Sequence, residues 1–323
     1  MQIHKPSKIE FMPQFPRAEP TIQDHSAMIV AKECFRKYFF RIVLGFTDKD
    51  TPPYFTFGSV YHKFREILEL KYMESPTKDD KELDNMILFA IQAALVLAKK
   101  LKMTDPMVGT KWEFMTKARL VESCMVAGKH WKREKLMGEI EVLAVEQNFN
   151  IEVKDENENP TGIFIGGKAD QILRWRGRLW GRDFKTSSQN QEGWYIRSLD
   201  PNDQFTRYTW AEAQLNGEHV EGQLIEVMYN AKSTKTTKKG PKIYPHMATR
   251  TEWQLKRWIK EQIFFSKLLD QCREEDIYPM EEKSCVYCIF HSVCKKGSER
   301  AMIAKLQAEF KHEPWDCTNR EVD

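Results

Sequence analysis

The chain has 323 residues, of which 50 are basic and 47 are acidic, so its formal net charge is only +3, and 41% of its residues are hydrophobic. This length and apolar content are enough for one large or two ordinary domains, and they exclude a disordered chain. No run approaches the roughly 18 apolar residues of a membrane span, and the start has no apolar segment typical of secretion. The nearly balanced charge by itself gives no sign of a nucleic-acid partner.

Residues 1–20 are rich in proline and lack periodicity, which predicts an extended arm. Residues 21–137 show the three- and four-residue hydrophobic spacing of amphipathic helices, with glycines or prolines at the breaks. We therefore predict that this region is mostly helical. The predicted helices span residues 24–44, 58–72, 81–102 and 109–135.

From Gly138 onward the pattern changes to short strands separated by turn residues. Two helices are predicted in this region: one spans residues 203–216, between the strands. The other follows the strands, begins at Thr251 by the capping-box pattern with Gln254, and ends at about Gln271. This order of helices, strands and helices indicates an α/β fold with a mixed sheet over residues 138–271. The predicted strands span residues 141–153, 163–175, 178–185 and 223–229.

The strongest chemical signal is the sequence GGKADQILRWRGRLWGRDFK, which ends at Lys185. Asp170 lies on one predicted strand and Asp183 on the next, and antiparallel pairing can bring the two carboxylates together. Alternation along the strand puts Asp183 and Lys185 on one face. Two carboxylates favour Mg²⁺ or Mn²⁺, and a lysine beside them can orient or deprotonate a water or offset charge on a phosphoryl oxygen. The alternative for so short a pattern is a surface ion pair.

Residues outside these two strands favour the metal-site interpretation. Gln204 and Tyr208 are four residues apart, so they lie on one face of the next helix. His62 lies near the start of an earlier helix, where a single histidine is also compatible with a structural role. A histidine, two aspartates, a lysine and a Gln-x-x-x-Tyr helix in this order are hard to explain together by chance.

These motifs, in this order, resemble those of the PD-(D/E)XK nuclease superfamily, in the RecB-like branch that includes the Cas4 exonucleases. The resemblance spans residues 58–210 and implies a restriction-endonuclease-like mixed sheet flanked by helices. It also implies metal-dependent hydrolysis of DNA in the cytoplasm of a bacterial, archaeal or phage-infected cell. Asp183 stands where glutamate is commoner in the family, which tolerates both residues.

The resemblance also implies roles for individual residues. Lys185 would position the attacking water, and Gln204 and Tyr208 would contact the substrate strand or brace the lysine. Glu146, on the first strand, stands where many relatives have an acidic residue and would be an accessory to the site. The implied metal ligands are His62, Asp170, Asp183 and the backbone carbonyl of Phe184.

Three of the seven cysteines, Cys285, Cys288 and Cys294, form a C-x2-C-x5-C pattern. In a reducing compartment such thiols are better explained as metal ligands than as disulfide partners. Zinc sites and iron–sulfur clusters usually take four thiolates, so a fourth ligand is expected from elsewhere. Cys34 is the preferred candidate, and Cys272 is its rival because it is nearer in the sequence.

The nuclease relatives also have a cysteine on the first helix and a C-x2-C-x5-C pattern at the far end, where they hold a 4Fe–4S cluster. The resemblance therefore implies such a cluster here, with zinc as the alternative occupant. We expect it to hold the N-terminal helix against residues 272–323. His291 lies inside the triplet and is more simply a loop histidine, and Cys124 and Cys317 have no proposed partner.

Basic and aromatic residues are candidates for contact with DNA. A lysine-rich loop follows the last predicted strand, and it suits either a phosphate-contacting flap or a solubilising loop. Arginines alternate with tryptophans around the strand pair that carries the aspartates, which favours base stacking and phosphate binding or, equally, an ordinary sheet core. The candidate contacts are Arg174, Arg176, Arg178, Arg182, Trp180, Lys232, Lys235, Lys238 and Lys239.

The preferred function is a metal-dependent deoxyribonuclease, an exonuclease that acts on single-stranded DNA ends. The first alternative is an iron–sulfur-stabilised DNA-end-binding subunit of a recombination, repair or CRISPR-adaptation complex, with weak or no cleavage. A second alternative is a zinc-bound structural protein in which the Asp-x-Lys pattern is accidental. The joint presence of Asp170, Asp183 and Lys185 favours the nuclease, because a decayed site is free to lose one of the three.

Overall fold

The computed structural model describes residues 12, 15, 17, 22–188, 194–231 and 240–316. Within this part of the chain, no helix is long and apolar enough to cross a membrane. The helices are α1 (His25–Glu33), α2 (Phe35–Tyr38) with a π-helix (Phe39–Val43), α3 (Pro53–Glu74), α4 (Asp80–Lys100), α5 (Lys117–Met137), α6 (Trp194–Arg197), α7 (Asp203–Asn216), α8 (Glu252–Glu275), a 3₁₀-helix (Glu282–Tyr287), α9 (His291–Cys294) and α10 (Glu299–Glu309).

The strands form one sheet of six strands and one of two. In the larger sheet, β4 pairs with β1 in parallel and with β3 and β5 in antiparallel fashion. Strand β6 pairs in parallel with β5 and antiparallel with β7, so the sheet is mixed, as predicted. The strands are β1 (Ile22–Gln23), β2 (Phe46–Asp48), β3 (Ile140–Lys154), β4 (Pro160–Trp175), β5 (Arg178–Ser187), β6 (Val220–Tyr229), β7 (Lys242–Thr249) and β8 (Phe310–His312).

Helices α3, α4 and α5 pack together and reach the sheet through the buried side chains of Phe184 on β5 and Met228 on β6. Helices α7 and α8 contribute to a second apolar cluster with β3 and β4, which includes Phe149 and Ile165. The strand pair β4–β5 therefore lies between α3 and α7. This arrangement brings side chains from both helices to the middle of the sheet.

The two ends of the described chain pack against each other. Strand β2 pairs with β8 in antiparallel fashion, with Thr47 opposite Lys311. A buried cluster combines Phe39 and Phe40 of the π-helix with Phe290 and Leu306 from the C-terminal region. This packing brings the first helices close to the three C-terminal cysteines.

The predicted helix over residues 24–44 is interrupted, which the periodicity did not indicate. The backbone at Cys34 is extended, so α1 ends there and α2 starts at the next residue. The Arg36 N–H donates to the carbonyl of Pro279, and the Arg36 guanidinium donates to that of Tyr278. Contacts with a distant segment thus replace local hydrogen bonds at the break.

Strand β7 was not predicted, because its sequence contains Pro245 and follows the lysine-rich loop. The structure pairs Pro245 with Glu226 of β6. Strand β7 is the last strand of its sheet, where a residue without an N–H is tolerated because its outer edge needs no partner. Strand position, which is a tertiary property, therefore decides this element.

Candidate active site

The two aspartates meet because β4 and β5 are antiparallel neighbours. Gln171 on β4 pairs with Arg182 on β5. Asp170 and Asp183 are the next residues beyond that pair, on the side away from the hairpin turn. The Phe184 N–H donates a 2.8 Å hydrogen bond to Oδ2 of Asp170. The Phe184 peptide therefore orients the first carboxylate, and the role of its carbonyl as a metal ligand stays a prediction.

Helix α3 and strand β3 bring two further side chains to Asp170. Nδ1 of His62 lies 3.3 Å from Oδ2 of Asp170. The β3–β4 register brings Glu146 level with Asp170, since Val145 pairs with Gln171 and Gln147 with Ala169. Glu146 has a φ of 52° and pairs with Lys168 at 2.5 Å. Ligand atoms of His62, Glu146 and Asp170 all lie within 4.8 Å of one another, and in the described residues this is the one such group of three His, Cys, Asp or Glu side chains.

This grouping differs from the ligand set that the resemblance implied. Glu146, expected only as an accessory, belongs to it, and Asp183 lies outside it. Asp183 is 1% exposed, and its Oδ2 lies 2.5 Å from Nζ of Lys185. The ion pair with Lys185 therefore engages the carboxylate that was expected to bind the metal.

Helix α7 braces the Asp183–Lys185 pair. Nε2 of Gln204 lies 3.4 Å from Oδ1 of Asp183 and donates a 3.0 Å hydrogen bond to the Tyr208 hydroxyl. The four-residue spacing of Gln204 and Tyr208 puts both on the side of α7 that faces β5. Asn202 caps this helix by accepting from the Gln204 N–H, so the first turn that carries Gln204 is well defined.

Burial and neighbouring charges shift the pKa values of Glu146, Asp170 and His62. Burial raises the pKa of Glu146, and the Asp170 carboxylate raises it further. Burial alone would raise the pKa of Asp170, but His62 and then Lys185 lower it overall. Burial would lower the pKa of His62, yet the Asp170 carboxylate more than offsets this and the net shift is upward. The Asp170 carboxylate thus stabilises the imidazolium form of His62.

The second carboxylate and the lysine show the same competition. Burial raises the pKa of Asp183 to about 6, although Lys185 opposes the shift. Burial would lower the pKa of Lys185, but Asp183 and Asp170 outweigh it and raise this pKa above its ordinary value. Above pH 6 the two groups therefore form a charged pair, and Lys185 keeps its proton.

These residues line one cleft of about 600 Å³ between α3, α7 and the sheet. Gly58 and His62 form part of one wall, and Gln204 and Tyr208 form part of another. The cleft is large enough for a nucleotide unit, and oxygen and nitrogen ligands suited to Mg²⁺ or Mn²⁺ converge inside it. The donor set therefore fits a divalent hard cation.

The arginine and tryptophan candidates for DNA binding lie elsewhere. Trp180 and Arg182 are 7% and 5% exposed, and they share the face of β5 opposite to Asp183 because side chains alternate along a strand. Arg182 pairs with Glu134 at 2.7 Å. Arg174, Arg176 and Arg178 pair with Glu218, Glu139 and Glu221, and Lys232, Lys235, Lys238 and Lys239 fall outside the described residues.

Trp175 and Arg182 instead line a separate cavity of about 450 Å³, which neither Asp170 nor Asp183 lines. The structure thus directs these arginines to glutamate partners and does not bring them to the cleft.

Sequence reasoning missed Arg65, which lies one turn after His62 on α3. Arg65 is 1% exposed, and its guanidinium donates to Glu226 on β6 at 2.6 Å. A signal was available, since Arg65 falls four residues after Tyr61 on the apolar face of the helix. A charged residue at such a position indicates a buried ion pair.

The cysteines gather at the junction of the chain ends. Sγ of Cys34 accepts from the Glu281 N–H at 3.4 Å, and Sγ of Cys285 lies 3.7 Å from the Glu281 carbonyl, to which it donates. Burial raises the pKa values of Cys288 and Cys294 above their ordinary value. The Cys34 and Cys285 thiols raise these two pKa values further. These four thiols are therefore electrostatic neighbours.

Comparison with known proteins identifies the family. The model of the PD-(D/E)XK nuclease superfamily matches residues 25–295. No curated protein matches the chain at a significant level. A solved structure named SSO0001 is 13% identical, covers 84% of this chain and 96% of its own, and has a TM-score of 0.29.

A protein from Eubacterium rectale that carries a provisional exonuclease name is 12% identical, covers 86% of this chain and 91% of its own, and has a TM-score of 0.45. With both TM-scores below 0.5, the assignment depends on the family match alone. That match spans most of the chain, including both aspartates and the lysine. The chain belongs to the PD-(D/E)XK nuclease superfamily, and is accordingly a metal-dependent nuclease.

Proposed function

We propose that this nuclease is a deoxyribonuclease that removes nucleotides from single-stranded DNA ends. The observation that carries the proposal is the convergence of His62, Glu146 and Asp170 in one cleft with the Asp183–Lys185 pair. Ligands for a hard cation and a permanent positive charge are the two requirements for phosphodiester hydrolysis by an activated water. The restriction to single-stranded ends follows the resemblance to the RecB-like and Cas4-type enzymes.

His62, Glu146 and Asp170 would hold the metal, with Asp183 as a further ligand or as the partner of Lys185. A bound Mg²⁺ or Mn²⁺ supplies a Lewis acid that polarises the scissile phosphate and acidifies water. Because its pKa is raised, Lys185 keeps its proton, so it acts as a hydrogen-bond donor and a fixed charge rather than as a base. Gln204 holds Asp183 in position from α7.

We also propose that Cys34, Cys285, Cys288 and Cys294 bind a 4Fe–4S cluster that joins the two ends of the chain. Cys34 and Cys285 both contact Glu281, and Cys288, Cys285 and Cys34 all raise the pKa of Cys294, so these four thiols lie close together. The choice of an iron–sulfur cluster over zinc follows the resemblance to the RecB-like and Cas4-type enzymes. Cys272 is the weaker fourth candidate, because burial alone raises its pKa and no other thiol contributes.

The experiment that tests the nuclease proposal uses end-labelled single- and double-stranded DNA with Mg²⁺ or Mn²⁺. We expect the wild-type protein to shorten single strands from an end, and Asp183→Ala and Lys185→Ala to lose this activity. Lys256→Ala is the matched control, since Lys256 is exposed on α8, pairs with Glu252 within its own helix and does not line the cleft. Equal degradation by the wild type and both site variants would show that these residues do not form the site.

A further inference from the structure

Two exposed aromatic side chains line the same cleft as the carboxylates. Tyr54 and Phe55 lie in the first turn of α3 and are 36% and 57% exposed. His62 follows Tyr54 by eight residues, so the two lie on one face of the helix, about 12 Å apart along its axis. The aromatic pair is therefore close to the candidate metal ligands without belonging to them.

A third ring extends this surface. The ring centres of Tyr54 and Phe55 are 4.6 Å apart, and those of Tyr54 and Trp112 are 4.8 Å apart. Nζ of Lys111 lies 4.7 Å from the centre of the Trp112 ring. Tyr54, Phe55 and Trp112, here called the aromatic platform, thus form a continuous surface with a cation at its edge, in which Tyr54 and Phe55 are exposed and Trp112 is half-buried against the helical core.

Among the residues that the structure describes, nothing blocks the path from the platform to the carboxylates. Gly58 lies between Phe55 and His62 on α3 and lines the cleft. A Cβ atom at Gly58 would meet only the Thr186 hydroxyl, at 3.5 Å, so the absent side chain leaves room and does not relieve a clash. A chain that rests on the platform can therefore continue toward the metal ligands.

An exposed aromatic surface beside charged groups calls for a ligand with flat faces and charged links between them. Unpaired nucleobases stack on aromatic side chains with about 1–3 kcal/mol per base and without sequence preference. Bases in a duplex already stack on one another and present only their edges, so the platform would not recognise them. Its chemistry selects unpaired bases.

We propose that the aromatic platform stacks unpaired bases next to the cleft and thereby gives the enzyme its preference for single strands. The proposal takes its substrate, DNA, from the proposed nuclease function. Its test measures binding and does not require cleavage. The Trp175 and Trp180 rings do not serve this purpose, since Trp180 is 7% exposed and Trp175 lines the separate cavity.

The test is DNA binding without cleavage, measured by fluorescence anisotropy in Ca²⁺ with Lys185→Ala as the background. We expect Phe55→Ala to weaken binding of a single-stranded oligonucleotide about five- to one-hundred-fold and to leave duplex binding unchanged. An oligonucleotide with abasic sites in place of the stacked bases should bind the Lys185→Ala background protein and its Phe55→Ala variant equally weakly. Phe264→Ala is the matched control, because Phe264 is 59% exposed on α8 and lies outside the cleft.

The proposal is overturned if Phe55→Ala leaves single-strand affinity unchanged, as a docking site for a protein would, or if it weakens duplex binding equally. It is also overturned if the effect persists with the abasic strand, or if neither the background protein nor the wild type in Ca²⁺ binds single strands. A wild-type protein that binds single strands through Phe55 but does not cut them would instead refute the nuclease proposal alone.

Discussion

The guanidinium carbon of Arg65 lies 4.1 Å from the centre of the Phe184 ring. Phe184 stands between Asp183 and Lys185 on β5, and its N–H donates to Asp170. Arg65 lies on α3, the helix that carries His62. The buried Arg65 guanidinium therefore fixes α3, which carries His62, against β5, which carries Asp183 and Lys185.

We expect Arg65→Ala to lower the free energy of unfolding by about 3–5 kcal/mol, because it leaves the Glu226 carboxylate buried without its main partner. Chemical denaturation measures this change. Adding Glu226→Ala should recover part of the loss, since the unpaired charge is then removed. The control Arg257→Ala breaks an exposed pair with Glu261 and should change stability by less than about 1 kcal/mol. Equal effects of Arg65→Ala and Arg257→Ala would contradict the assigned role.

Metal binding should release protons. The pKa values of His62 and Glu146 are raised, so a metal that binds these side chains must displace protons that they favour. The apparent affinity for Mn²⁺ should accordingly increase with pH, most steeply up to and through the raised pKa of His62. Titration calorimetry in two buffers of different ionisation enthalpy counts the released protons.

His62→Gln should reduce this number by up to about one per Mn²⁺ at pH values below the raised pKa of His62, because His62 holds a proton there. His219→Gln should not change the number, since His219 is exposed and lies outside the cleft. The same proton release from the wild type and His62→Gln would remove His62 from the metal site.

Replacing Lys185 should affect the rate through its charge. Lys185→Met should slow cleavage about 10²–10³-fold, the usual cost of losing one preorganised donor. Lys185→Arg should retain part of the rate, because arginine also keeps a proton. Because the pKa of Lys185 is raised, the wild-type rate should show no increase from lysine deprotonation up to pH 9. If Lys185→Arg cleaves as slowly as Lys185→Met, the result would indicate that the lysine amine acts as a base.

The cysteine assignment predicts a contrast between two substitutions. Cys34→Ser should lose bound iron and visible absorbance after anaerobic purification, whereas Cys272→Ser should keep both. The reason is that Cys34 lies next to Cys285 through Glu281 and shifts the pKa values of Cys288 and Cys294. Metal analysis and absorption spectra measure the outcome. Zinc in place of iron, or iron lost from Cys272→Ser alone, would contradict the assignment.

Stability should depend on pH through Glu212, which is fully buried and accepts a 2.6 Å hydrogen bond from Gln223. Burial raises the pKa of Glu212 well above 4.5, so the folded protein holds a proton that the unfolded chain loses. Its contribution is therefore complete below pH 4.5 and declines by about 1.4 kcal/mol per pH unit as pH rises toward the folded pKa.

Glu212→Gln should remove this decline, so the variant gains stability relative to the wild type as pH rises. Urea denaturation at pH 5 and pH 8 compares the two proteins. Glu218→Gln is the control, because Glu218 is exposed and pairs with Arg174. A parallel pH dependence in the wild type and Glu212→Gln would show that the buried carboxyl is ionised in both states.

Local sequence determined most of the secondary structure and the chemistry of the strand pair. Alternation along β5 is sufficient to put Asp183 and Lys185 on one face, and the spacing of Gln204 and Tyr208 does the same on α7, because both periods are properties of the backbone. The capping box at Thr251 forms as predicted. These features depend on residues a few positions apart, so they can be predicted without knowledge of the fold.

Only the tertiary structure decided which distant groups meet. Glu146 joins the candidate metal-ligand group because the β3–β4 register brings it level with Asp170, and neither strand alone determines a pairing register. Arg182, predicted to bind DNA, is buried against Glu134 because alternation turns it away from the cleft and α5 provides an acid there. Proximity between elements depends on how they pack, and that is a property of the whole chain.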